Sequence, residues 1–134
     1  MSKKIFINLP VADLKTSMEF YTKIGFTNNP AFTDDTAACM VLSEEIYVML
    51  LTLDKFSQFT SKEIIDAKTR IGVINSISVD SLEEVNTMAD AALSAGGSEP
   101  SPARDYGFMQ QRSFTDPDGN HWEILYMDMS QYPG

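Results

Sequence analysis

The sequence predicts an α+β fold of two tandem βαβββ modules whose strands form a curved mixed sheet around a cleft. Three observations carry that expectation. The first is an internal repeat. Leu9-Pro10-Val11-Ala12-Asp13-Leu14, a helical stretch and Gly25-Phe26 parallel Ile77-Ser78-Val79-Asp80-Ser81-Leu82, a helical stretch and Gly96-Gly97. Val11 and Val79 are 68 positions apart, close to half of the 134-residue chain. Two copies of one unit that bury their faces together explain such a repeat. The second is the order of periodicities in each half: a strand, a helix, then three strand-like runs. Four strands with one helix leave an open sheet, and two such sheets enclose a cleft. The third is the turn Asp116-Pro117-Asp118-Gly119-Asn120 between two runs of β-formers. Pro117 presets φ at one corner, and Gly119 accepts the positive φ that other residues resist.

The elements follow in chain order. Lys4 to Leu9 reads as a strand closed by Pro10, with Phe6 and Asn8 on one face and Ile5, Ile7 and Leu9 on the other. Asp13 caps a helix whose inner side carries Leu14, Ser17, Met18, Phe20, Tyr21 and Ile24, and Gly25 ends it. Strands are expected over 26–32, 37–43 and 46–53. In the last of these, Tyr47 to Leu51 are apolar on both faces, as in a strand covered from both sides. Residues 54–70 form a connector, with a short helix expected over Ser61 to Lys68. A long ordered loop in a small domain is often a lid or binding segment, although a plain linker pinned by Phe56 and Phe59 fits as well. The second module opens with a strand over 72–79. A helix follows from Leu82 to about Ala95, burying Leu82, Val85, Met88, Ala89, Ala92 and Leu93. Residues 99–103, with two prolines, read as a loop or irregular edge strand. Strands over 108–115 and 121–127 flank the turn, and Tyr132 anchors the tail. The whole is one domain, 1–134, with modules at about 3–53 and 71–128.

Composition narrows the function classes. Hydrophobic residues make up 43% of the chain, enough for a sizeable core. A net charge of -9 argues against nucleic acid and anionic membrane surfaces. The lone cysteine, Cys39, sits in an apolar run and reads as a buried small hydrophobe. No signal-peptide pattern, membrane-span pattern or Cys/His zinc spacing is present, so a cytoplasmic location is expected.

Glu123 is the residue that asks for a role. It lies inside an otherwise apolar strand, sharing a face with His121 and Leu125, while Trp122, Ile124 and Tyr126 face the core. A carboxylate there either reaches water, finds a partner, or does chemistry.

The run from Leu9 to Tyr21 with Gly25-Phe26, together with Phe114 to Glu123, resembles the glyoxalase, bleomycin-resistance and extradiol-dioxygenase superfamily, also called vicinal oxygen chelate proteins. With the repeat, the resemblance covers nearly the whole chain. It implies the fold but no single activity, since members include isomerases, ring-cleaving dioxygenases, thiol transferases and drug-sequestering proteins. It also implies a homodimer. The family's metal enzymes hold a divalent ion from four inward positions, one per strand. The carboxylate position matches Glu123. The other three fall on Phe6, on or near Leu50, and on Ile74, which supply no metal ligand. His121, the only histidine, reads as a solvated or capping residue. No cofactor is therefore expected.

The expected cleft holds Phe6, Asn8, Leu50, Ile74, Ser76 and Glu123, with Tyr106, Phe108, Gln110 and Arg112 entering from the penultimate strand. Such an apolar pocket with a few polar groups suits a small organic ligand. Glu123 is then a ligand anchor, a catalytic base, or the partner of Arg112 or of a hydroxyl such as Tyr47 or Tyr106. A metal-free binding protein comes first, a metal-independent enzyme with Glu123 as base second, and a metal-dependent lyase or dioxygenase third.

Overall fold

The structure, a computed structural model, describes residues 2–134. It divides into two compact units, Met1–Asp66 and Ala67–Gly134, so the boundary falls within the connector. Each unit is a four-stranded mixed sheet with one long helix, and the strand orders correspond: β1-β4-β3-β2 in the first, β5-β8-β7-β6 in the second. In both, the first and last strands run parallel and the other pairs antiparallel. The repeat in the sequence is a repeat in topology. Among the described residues no helix is long and apolar enough to cross a membrane.

In the first unit, β1 (Ile5–Val11) runs through Pro10 instead of ending there. β1 is an edge strand paired only with β4 (Ile46–Thr52), a position where a proline's missing N–H is tolerated. Asp13 caps α1 (Leu14–Lys23), its carboxylate accepting from the Thr16 N–H at 3.1 Å. Ser17, Phe20, Tyr21 and Ile24 are buried, whereas Leu14 and Met18 are only half-buried at the margin of the stripe. Gly25, at φ +113°, turns the chain out of the helix.

The strand expected over 26–32 is shorter. β2 covers Thr27–Asn29, and Pro30–Phe32 form a 3-10 turn. Pro30 cannot donate to a ladder, and the Asn29 side chain accepts from the Ala31 N–H instead. β3 (Ala37–Val41) follows, with Cys39 buried. In β4, Val48 and Leu50 are buried on the helix face and Leu51 on the other, in keeping with a strand covered on both sides. The helix expected over Ser61 to Lys68 does not form. The helix of this region is α2 (Leu53–Ser57), which starts at the end of β4 because the Thr52 hydroxyl caps the Lys55 N–H.

In the second unit, β5 (Ile74–Ser78) leads to Ser81, which caps α3 (Leu82–Ser94) through the Glu84 N–H. Val85, Met88, Ala89 and Ala92 form the buried stripe of α3. Leu82 and Leu93, expected inside, are 44% and 41% exposed because they lie at the two ends of that stripe. The irregular edge strand is β6 (Arg104–Asp105), just beyond the expected residues. β7 (Met109–Thr115) and β8 (His121–Met127) flank the turn. Trp122 and Ile124 face α3 and are buried, with the Trp122 ring parallel to Phe114 at 6.3 Å. Burying a side chain of that size contributes about 1.5–3 kcal/mol.

Candidate functional site

The turn before β8 sets the register of the second sheet. Asp116, buried, accepts from the backbone N–H groups of Asp118 and Asn120 and from the Asn120 side chain. Gly119, at φ +93°, faces the backbone of Ala67 and Lys68, and a Cβ there would meet Ala67 C and Lys68 N at 2.7 Å. Glycine is needed twice over, for its φ and for the close approach of a second backbone segment.

That turn places Thr115 opposite His121, and therefore Ser113 opposite Glu123. On the other side of β8, Ser76 lies level with Glu123. Partners in register share a face, so Ile74, Ser76, His121, Glu123, Leu125, Gln111 and Ser113 occupy the face turned away from α3. Glu123 is half-buried there. Its Oε1 accepts from Ser76 Oγ at 3.1 Å and its Oε2 from Gln111 Nε2 at 3.3 Å. Gln111 is level with Arg104 on β6, which places Arg104 on the same face. The adjoining Tyr106 holds the Arg104 guanidinium above its ordinary pKa by hydrogen bonding, with a smaller contribution from the charge of Glu123. Ser113 is buried, its hydroxyl 3.1 Å from that of Ser101.

Several expected site residues lie elsewhere. Arg112 is level with Ile124, not Glu123, and points to the α3 side. There it binds Glu99 through Nε at 2.9 Å and Nη2 at 3.0 Å, and Asp90 and Asn86 through Nη1. It is therefore not the partner of Glu123. Gln110 shares that orientation, level with Tyr126 and bonded to Asp105. Phe108 precedes β7 and packs its ring against Tyr132 at 4.8 Å, the anchoring expected of the tail. Tyr106 follows β6, hydrogen-bonds Arg104, has its N–H bonded to the Met109 carbonyl, and is half-exposed. Its hydroxyl is not among the groups bonded to Glu123. The donors that do reach Glu123 are Ser76 and Gln111, and Gln111 was missed by one position. Counting back from the turn finds it, because Thr115 opposite His121 forces every odd residue of β7 onto the Glu123 face.

In the first unit the face away from α1 carries Phe6, Asn8, Tyr47 and Met49. Phe6 stacks on Tyr47 at 4.5 Å, and the Lys4 ammonium lies 5.6 Å from the Tyr47 ring. The Tyr47 hydroxyl donates to the Glu44 carbonyl. Leu50, expected beside Phe6, is level with Leu9 and Ala38 and fully buried on the helix side. Met49 takes the place expected of it. The reason is the parallel register, which puts Asn8 level with Met49.

Of the four positions that the resemblance implies, Glu123 alone carries a metal-ligating side chain, the others being Phe6, Leu50 and Ile74. Among the described residues no three His, Cys, Asp or Glu side chains gather where they could hold an ion. Glu123 and His121, two residues apart on this face, are fewer than the three or more protein ligands typical of a zinc site. The second unit also holds a pocket of about 370 Å³ between the turn and the end of α3, lined by polar residues such as Lys68 and Ser98 and by apolar ones such as Pro100 and Pro117. It lies at the end of β8 away from Leu125 and does not include Glu123.

A family profile, Glyoxalase/Bleomycin resistance protein/Dioxygenase superfamily, matches residues 5–124. The chain belongs to that superfamily. Among solved structures, a hypothetical protein from S. aureus aligns with a TM-score of 0.79 at 24% identity, covering 94% of each chain. A glyoxalase/bleomycin resistance protein/dioxygenase family enzyme from Burkholderia phytofirmans PsJN aligns at 0.75 with 16% identity, over 94% of this chain and 99% of its own. A superfamily member from Nocardioides aligns at 0.73 with 22% identity, over 100% of this chain and 89% of its own. At these identities the structural likeness establishes the glyoxalase-like fold alone. No curated protein matches the sequence.

Proposed function

We propose that this superfamily member binds a small organic ligand on the Glu123 face of its second sheet, without a divalent metal. The observation that supports this reading is the environment of Glu123. Its carboxylate is oriented by Ser76 and Gln111, two neutral donors, and the next β5 residue on that face is Ile74, level with His121. Polar groups at the centre with Ile74 and Leu125 on either side form the mixture by which small molecules are recognised. A second reading is a metal-independent enzyme in which Glu123 is the base. It draws on the same half-buried, pre-oriented carboxylate. The homodimer implied by the family is retained as part of the proposal, and light scattering after gel filtration tests it.

The test of the function is a thermal-shift screen of the purified chain against organic compounds and, separately, against divalent ions. Stabilisation by organic compounds but not by ions, weakened in Glu123→Gln, supports binding. Stabilisation by ions that is lost in Glu123→Gln returns the chain to the metalloenzyme class. Turnover of a stabilising compound, abolished by Glu123→Gln, favours the enzyme reading.

A further inference from the structure

The open face of the second sheet carries two opposite charges that feel each other's field without forming a direct ion pair. Among the described residues, Glu123 on β8 is hydrogen-bonded to a hydroxyl and a carboxamide, which orient it without removing its charge. Arg104 on β6 is level with Gln111 of β7 and exposed. The ion pairs of Arg112 engage Asp90 and Glu99 on the opposite face, and among the described residues none joins Arg104 to Glu123. Gln111 stands between them: its backbone pairs with Arg104 and its side chain donates to Glu123. Two strand spacings across and one face-repeat along the strand separate their Cα atoms by about 12 Å. Leu125, at the β8 end of the row that runs through Gln111 to Arg104, puts an apolar element beside Glu123.

Each charge has capacity to spare. An ionised carboxylate offers about four acceptor positions, of which two are used here. The Arg104 guanidinium has five donors in a fixed fork, and its hydrogen bond to Tyr106 leaves others of them available. A simple cation would satisfy only Glu123, and a simple anion only Arg104. We propose that this face takes a small zwitterion, with a protonated amine on Glu123 and Ser76, a carboxylate on Arg104, and a short apolar body over Gln111 and Leu125. The inference deepens the ligand-binding reading above and rests on it. Both ends make charge-assisted hydrogen bonds, the stronger kind, and the spacing of the two groups selects ligand length. An amine also needs only a few acceptors, which the site has, where a divalent ion asks for several oxygen or nitrogen ligands.

Isothermal titration of the full chain tests this with four matched probes: 6-aminohexanoate, hexylamine, hexanoate and hexanamide. Shorter and longer ω-amino acids, from 4-aminobutyrate to 8-aminooctanoate, give the length dependence. The zwitterions are expected to bind at least tenfold more tightly than the singly charged probes, with an optimum length, and to weaken as salt is raised. Glu123→Gln is expected to weaken zwitterion and amine tenfold or more and leave hexanoate unchanged. Arg104→Gln is expected to do the reverse, weakening zwitterion and hexanoate. Hexanamide binding as tightly as the best zwitterion, or zwitterion binding indifferent to both variants, overturns this inference while leaving the ligand-binding reading in place. The same holds if none of the four probes binds but apolar compounds stabilise the chain in the thermal screen. If no organic compound stabilises it, both readings fall together.

Discussion

Arg112 grips Glu99 through two hydrogen bonds, Nε to Oε2 at 2.9 Å and Nη2 to Oε1 at 3.0 Å, on the face of the sheet opposite Glu123. The same guanidinium reaches Asp90 on α3 at 2.9 Å, so one side chain ties β7, α3 and the segment after α3. The Arg112 side chain is only 14% exposed, and Glu99 is partly buried. Removing the cation leaves Glu99 without its partner in a poorly solvated place. Arg112→Met is expected to cost about 1–3 kcal/mol in urea denaturation. Arg112→Lys is expected to fall between, since an ammonium cannot reproduce the fork. Unchanged stability in Arg112→Met would show that the cluster is well solvated.

Gly119 is where two backbones meet. Its φ of +93° and the 2.7 Å approach to Ala67 and Lys68 both resist a side chain. Gly119→Ala is expected to destabilise by about 1–3 kcal/mol. Hydrogen exchange is expected to quicken around residues 67–68 and in the turn. Loss of stability without any change at 67–68 would mean that only the φ matters.

The two sides of β4 differ in consequence. Leu50 is fully buried, level with Leu9 and Ala38, whereas Met49 is half-buried on the Phe6 face. Leu50→Ala is expected to cost about 2–5 kcal/mol, the range for a large-to-small change in a packed core. Met49→Ala is expected to cost clearly less. Equal costs for the two variants would contradict the register.

Asp128 caps the 3-10 turn Met129–Gln131, accepting from Ser130 Oγ at 2.6 Å, Ser130 N–H at 3.1 Å and Gln131 Nε2 at 3.1 Å. Those bonds, the Ser130 hydroxyl first, lower its pKa from the ordinary 3.8. A carboxylate whose folded pKa is depressed stabilises fully above its unfolded value and loses that contribution as pH falls through the folded one. The tail is therefore expected to stay ordered down to about pH 4 and to loosen below it, followed through the Ser130 amide by NMR. Asp128→Asn is expected to flatten that dependence. A transition centred above the ordinary aspartate range would point to another group.

The fold was legible because its signals are local and repeated. Asp13 and Ser81 cap equivalent helices, and the Asp116–Asn120 turn fits only one kind of backbone. The second sheet's orientation at β8 was legible too, since Trp122 and Ile124 alternate with Glu123. The partners of Glu123 were less so. A strand's two faces differ by one residue, and Arg112 is a more conspicuous match for a carboxylate than Gln111. Only the register separates them, and the turn sets the register. Leu50 shows the same limit, because an all-apolar strand carries no alternation from which to read its faces. Pro10 and Pro30 look alike in sequence, yet one lies within an edge strand and the other ends a strand. Pairing decides that, and pairing is not local.

The metal content of the chain, purified without chelators and measured by elemental analysis beside Glu123→Ala, tests the central claim most directly. Glu123 with Ser76 and Gln111 is expected to retain no stoichiometric divalent metal, and the two proteins are expected to give the same trace background. One tightly bound divalent ion per chain, lost in Glu123→Ala, would contradict the claim that this face holds an organic ligand in place of a metal.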